Sequence, residues 1–117
     1  MSVNWIKYKG KKILYSDFSG IDTVEEMLKN LRLKIKCIED AKSKVLLLDN
    51  LNDSHLSREF MNIAKENGKK LKPKMERSAI LGIVGIKKIL LNAYLLYSGD
   101  NIKVFKNEEE AKEYLVS

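Results

Sequence analysis

The sequence predicts an α/β domain: a mixed five-stranded sheet with an N-terminal β-hairpin and four helices, in the order ββαβαβαβα. Two runs rich in β-branched and aromatic residues open the chain, joined by a short glycine turn. Apolar stripes of helical spacing then alternate with short apolar runs, the pattern of a parallel α/β sheet. One of those runs, Val45-Leu46-Leu47-Leu48, is apolar at four consecutive positions. Both of its faces need cover, as those of a central parallel strand do.

Residues 3–8 and 12–18 form the hairpin, with Lys9-Gly10-Lys11 between them and Gly20 ending the second strand. The first helix runs from Thr23 to Cys37 or Ile38. Val24, Met27, Leu28, Leu31, Ile35 and Ile38 make its apolar stripe, and Thr23 with Glu26 fits a capping box. Residues 44–49 are the third strand. The second helix spans about 57–70, with Leu56 and Met61 placed for a hydrophobic staple and Phe60, Ile63 and Ala64 facing the core. Lys72-Pro73-Lys74 leads into the fourth strand, 75–81. Gly82-Ile83-Val84-Gly85 opens a third helix, 86–97, which Gly99 stops. Residues 102–105 are the fifth strand, and Asn107 with Glu110 caps a last helix carrying Ala111, Tyr114 and Leu115.

At 117 residues the chain reads as a single domain, and its 44% apolar content with interspersed charge is globular. Cys37 is the only cysteine, so no internal disulfide is expected. There is neither a signal-peptide pattern nor an apolar run of ~18 residues, so a soluble cytoplasmic protein is expected. The net charge is +6. Its lysines are spread over most of the chain, and the basic stretch 69–77 contains no aromatic residue for base stacking. Nucleic-acid binding is therefore not expected.

The segments Ile13-Leu14-Tyr15-Ser16-Asp17-Phe18-Ser19-Gly20, Val45-Leu46-Leu47-Leu48-Asp49, Arg77 through Leu91, and Val104-Phe105 followed by Glu108-Glu109-Glu110-Ala111 and Tyr114-Leu115 carry a resemblance in their order and spacing. Taken together, nearly the whole chain resembles the STAS superfamily, in particular its small SpoIIAA-like, STAS/SEC14-type branch. STAS antagonists of anti-sigma factors are binding switches. A serine in an Asp-Ser-Ser-Gly stretch after their third strand is phosphorylated by a partner kinase. The matching stretch here is Asp53-Ser54-His55-Leu56 or Leu56-Ser57-Arg58, which lacks the second serine and the glycine. The resemblance implies Ser57 and Ser54 as candidate phosphorylation sites. A phosphate at a helix start meets free N–H groups, whereas one beside Asp53 is repelled, which favours Ser57. The preferred reading of either serine is a helix cap.

Ligands of open α/β sheets meet the loops at the carboxyl ends of strands. Asp49, Asn52, Asp53, Ser54, His55, Ser57 and Arg58 are thus the candidate partner-binding loop. Asp53, Ser54 and His55 are too close in sequence to align as a catalytic triad. Asp17 and Asp49 both end strands and would lie at one sheet edge if those strands pair, as turn acceptors before acid–base partners. One histidine and one cysteine make a metal site unexpected. Gly82-Ile83-Val84-Gly85 with Lys87 and Lys88 superficially matches the GxxG loop of KH domains, but it follows a strand and has an apolar middle.

The helix 86–97 carries one stripe of Ile86, Ile89, Leu90, Ala93 and Leu96 or Tyr97, while Leu91, Tyr94 and Leu95 lie largely outside it. Either this helix is covered on two sides, or these three residues form an apolar interface. The expected function is a non-catalytic binding or regulatory module acting through protein–protein contacts, with another protein or another copy of itself. The alternative is a carrier of a lipid or other apolar small molecule. No cofactor is expected.

Overall fold

The computed structural model describes residues 2–85, 88 and 102–117. In it, β1 (Ser2–Tyr8) and β2 (Lys11–Asp17) pair antiparallel through a two-residue turn. Lys9 and Gly10 both take positive φ, 50° and 81°, the backbone that matches the twist of a tight hairpin. The expected loop was one residue longer.

Next come α1 (Val24–Asp40), β3 (Val45–Asn50), α2 (Arg58–Leu71), β4 (Met75–Leu81), β5 (Ile102–Phe105) and α3 (Glu108–Val116). The sheet order is β1-β2-β3-β4-β5, with every pair after the hairpin parallel. This is the mixed sheet expected. Three of the four expected helices fall among the described residues; the one expected at 86–97, and with it Leu91, Tyr94 and Leu95, lies outside them except for Lys88.

The caps form where side-chain chemistry put them. Thr23 accepts from the Glu26 N–H, Ser57 from the Phe60 N–H and Asn107 from the Glu110 N–H. The first helix extends to Asp40, past its expected end, because Lys74 Nζ donates to the Glu39 and Ala41 carbonyls and satisfies its last turn. Lys72-Pro73-Lys74 forms a single 3₁₀ turn into β4.

Two layers cover the sheet. On one face α1 and α2 pack side by side, and Phe18, Met27, Leu31, Leu51, Phe60 and Ile80 form a buried cluster. Phe18 meets Phe60 edge-on at 5.4 Å between centroids. The opposite face, formed by Ile13, Leu46, Leu48, Ala79 and Leu81, receives Ala111 and Leu115 of α3. Alternate residues of Val45-Leu46-Leu47-Leu48 go to the two layers, so all four are buried. Cys37, expected off the stripe, is half-buried against Ile38 and Val45.

Candidate functional site

The carboxyl edge of the sheet gathers three loops. Residues 18–22 follow β2, 51–57 follow β3 and 82–85 follow β4. Backbone bonds knit the first two: the Gly20 N–H donates to the Asn52 carbonyl at 3.2 Å and the His55 N–H to the Ile21 carbonyl at 2.9 Å. The Leu51 N–H donates to the Leu81 carbonyl at 2.9 Å and so joins the third. Gly82, at φ +86°, lets the chain turn flat against the second loop. A Cβ there would lie 2.4 Å from the Asn52 nitrogen.

The proposed partner-binding loop divides into two groups. Asn52, Asp53, His55 and Arg58 are exposed. Asn52 is fixed by Asn50, whose Oδ1 accepts from both its backbone N–H and its side-chain amide. Asp53 holds a left-handed φ of 52°, a conformation its short side chain tolerates. The remaining three turn inward. Ser57 is the half-buried cap of α2. Ser54 is buried and donates to the Leu51 carbonyl at 2.7 Å. A kinase would have to extract it, and this weighs against Ser54 as a phosphorylation site.

Asp49 is also buried rather than part of the loop surface. Lys34 of α1 reaches down to it, with Nζ 3.2 and 3.3 Å from the two carboxylate oxygens. Lys34 also lies 5.5 Å above the Phe18 ring. Beside the pair, Ser16 is aligned with Asp49 across β2 and β3, and Asn30 sits one helical turn before Lys34. Ser16 Oγ and Asn30 Oδ1 are buried without a hydrogen-bond partner among the described residues. Such atoms typically cost about 1–3 kcal/mol each. This polar island is not visible in sequence, because Lys34 and Asn30 read as ordinary helix-surface residues until the sheet is placed beneath them.

Asp17 and Asp49, weighed as an acid–base pair and read first as turn acceptors, do not come together. β2 and β3 are neighbours, but Asp49 aligns with Ser16 and Asp17 with Asn50. Successive residues of a strand point to opposite faces, so the two carboxylates are on opposite sides of the sheet. Asp17 instead accepts from the backbone N–H and hydroxyl of Ser19, the turn-acceptor role foreseen for it.

On the α3 face, Tyr15 links the strands to the last helix. Its hydroxyl donates to Glu108 at 2.9 Å and accepts from the Asn50 amide at 3.0 Å. Burial first, and then the Glu108 carboxylate, push the Tyr15 phenol up to about 12, against the opposing Asn50 bond. Glu108 lies below the usual carboxylate range, chiefly because Lys112 bonds it. Among the described residues, no cluster of His, Cys, Asp and Glu stands close enough to hold a metal ion.

Between α1, α2 and the sheet lies an apolar cavity of about 90 Å³, with Leu31, Ile35, Leu47, Leu71, Met75 and Ile102 in its wall. A second pocket of about 60 Å³ lies toward Phe60 and Ile80 and shares Lys34, Ala64 and Ser78 with the first.

No family model matches the sequence, and no curated protein matches it. Among solved structures, the fold is similar to that of an uncharacterised protein of the DUF3478 family with a SpoIIAA-like fold, from Shewanella loihica PV-4. The two chains are 16% identical over 97% of this chain and 92% of that one, with a TM-score of 0.74. The chain therefore has a SpoIIAA-like fold. At that identity the likeness establishes the architecture and leaves the activity to the residues. Among the described residues no helix is long and apolar enough to cross a membrane.

Proposed function

We propose that the chain is a non-catalytic, cytoplasmic binding or regulatory module that works through protein–protein contacts at the carboxyl edge of its sheet, including contacts between two copies of itself. The observation that carries this reading is the knitted loop platform. Val84 stands 69% exposed there, two residues beyond the Gly82–Asn52 contact. Exposed Asn52, Asp53 and His55 supply a polar rim. An apolar residue on a braced surface is what an interface core needs, since little conformational freedom is lost on binding. Light scattering over a wide concentration range, on the natural chain and on Val84→Asp, tests it. Association weakened by the substitution at unchanged melting temperature supports this surface. Unaltered association in Val84→Asp would remove it as the self-contact.

A second reading, a carrier of a lipid or other apolar small molecule, is favoured by the cavity under α1 and α2. At about 90 Å³ that cavity is small for such a ligand, and the carrier reading therefore comes after the first. Clefts that enclose drug-sized ligands run to ~300–1,000 Å³, so α1 and α2 would have to part to admit a lipid. Native mass spectrometry of freshly purified protein decides the matter, and a bare chain in every charge state ends the carrier reading.

A further inference from the structure

At the opposite, amino end of the sheet the fold assembles something the linear sequence keeps apart. Trp5 of β1, Lys11 and Lys12 of β2, and Lys42 and Lys44 of the loop after α1 line one open cleft of about 620 Å³. Trp5 is 45% exposed, unusual for the largest apolar side chain in a domain that buries Phe18 and Phe60. Four lysines face a single acidic residue, Glu76. Lys11 donates to the Val116 carbonyl. Lys12, Lys42 and Lys44 are exposed and form no ion pair among the described residues. Elsewhere the fold pairs lysines when acids are at hand, as Lys9 with Glu113 and Lys112 with Glu108.

We infer that this cleft binds single-stranded nucleic acid, one base stacking on Trp5 and the flanking phosphates lying against Lys12, Lys42 and Lys44. An aromatic face beside unpaired cations is the element that such binding requires, because every base has a π-face and every linkage a charge. The basic stretch 69–77 lacks that aromatic; the cleft supplies it from a different part of the chain. An acidic peptide would use the lysines and leave the indole face idle. The cleft has ligand-sized volume, within the ~300–1,000 Å³ typical of such sites. This surface is separate from the loop platform at the carboxyl edge, so the two assignments stand or fall independently.

Trp5 is the only tryptophan of the chain, so its fluorescence reports this cleft alone. Titration with a short oligouridylate and a short oligothymidylate at low salt should quench it saturably. Each phosphate contact should contribute a log–log salt slope of about −0.7, so three should give roughly −2. Changing Lys12, Lys42 and Lys44 together to Gln should weaken binding at least tenfold and flatten that slope. Trp5→Ala, followed by anisotropy of a labelled strand, should weaken it about tenfold. Changing Lys29 and Lys70, exposed on the helices, to Gln should alter it less than twofold. Circular dichroism verifies that each variant is folded. The inference is overturned by absent quenching, by binding indifferent to the three cleft lysines, or by equal quenching with polyglutamate or phosphatidylserine vesicles. A mononucleotide that binds as tightly as the oligomer would replace the strand by a free nucleotide and likewise overturn it.

Discussion

Lys34 and Asp49 define the most consequential pair of residues under α1. Their side chains are only 13% and 12% exposed, so neither charge is well solvated alone. Removing one partner of such a pair strands the other, a loss of about 3 kcal/mol or more. Lys34→Met should therefore lower the urea midpoint sharply, and Lys34→Met with Asp49→Leu should recover most of the loss. If the double variant is no better than the single, packing rather than charge governs the site. Gly82 is the second sensitive position. The backbone atoms of Leu51 and Asn52 lie within 2.4–2.7 Å of where a methyl would stand, and the φ of +86° is strained for any L residue. Gly82→Ala should cost about 2 kcal/mol or more. Gly20→Ala, with open space around it, is the control that isolates the φ penalty from the clash. At this scale the sequence was only partly legible. Ser57 read correctly as a cap because capping is local chemistry. Ser54 and Asp49 look equally polar in sequence, yet only the packing of β3 shows that both are buried.

Elements meet through polar links as well as apolar ones, and the union of β2 with α3 is sensitive to pH. The Tyr15 phenol is raised from 10 to about 12. A group whose folded value is raised stabilises the fold below its unfolded value, and that contribution is lost as pH rises through the folded one. Stability should thus decline between pH 10 and about 12. Tyr15→Phe should be less stable at neutral pH, because Asn50 and Glu108 lose a partner, but should decline less over that window. Urea midpoints measured across it, with and without the substitution, provide the comparison. Glu108 acts in the other direction. Its lowered value gives stability that is present above the ordinary 4.5 and is lost as pH falls through the folded value. The elements themselves were readable from sequence because the apolar spacing of α1, the run in β3 and the three helix caps are local signals. Asn30 was not, since only its place above Asp17 makes it a core residue: its amide donates to the Asp17 carbonyl at 3.0 Å.

On the scale of the whole molecule, α3 is what closes the second face. Ala111 and Leu115 are fully buried against β3 and β4, and Arg77 of β4 donates to the Tyr114 and Ser117 carbonyls at 2.7 Å. A chain ending at Lys106 would expose Leu46, Leu48, Ala79 and Leu81 to water. It should lose its cooperative unfolding transition in calorimetry and bind a hydrophobic dye. A sharp transition retained at a similar temperature would show that the sheet needs only one layer. Architecture was the most legible scale, because alternating strand and helix patterns leave few topologies open. The amino-end cleft was the least legible, since residues 5, 11–12 and 42–44 share no motif and meet only when β1 and β2 fold beside the end of α1.

The described strands lie in the sheet in the order in which the ribosome makes them. Each emerging strand finds its partner already at the growing edge and never has to insert between two others. Such a sheet can lengthen during synthesis with little loop entropy to overcome at each step. One closure runs against this order. Tyr8 donates to Glu109 and Glu113, and Lys9 pairs with Glu113, so the first hairpin is fastened to the last helix. Until α3 docks, the apolar face beneath it stays open to water, and that is the stage at which the emerging chain is most exposed to aggregation.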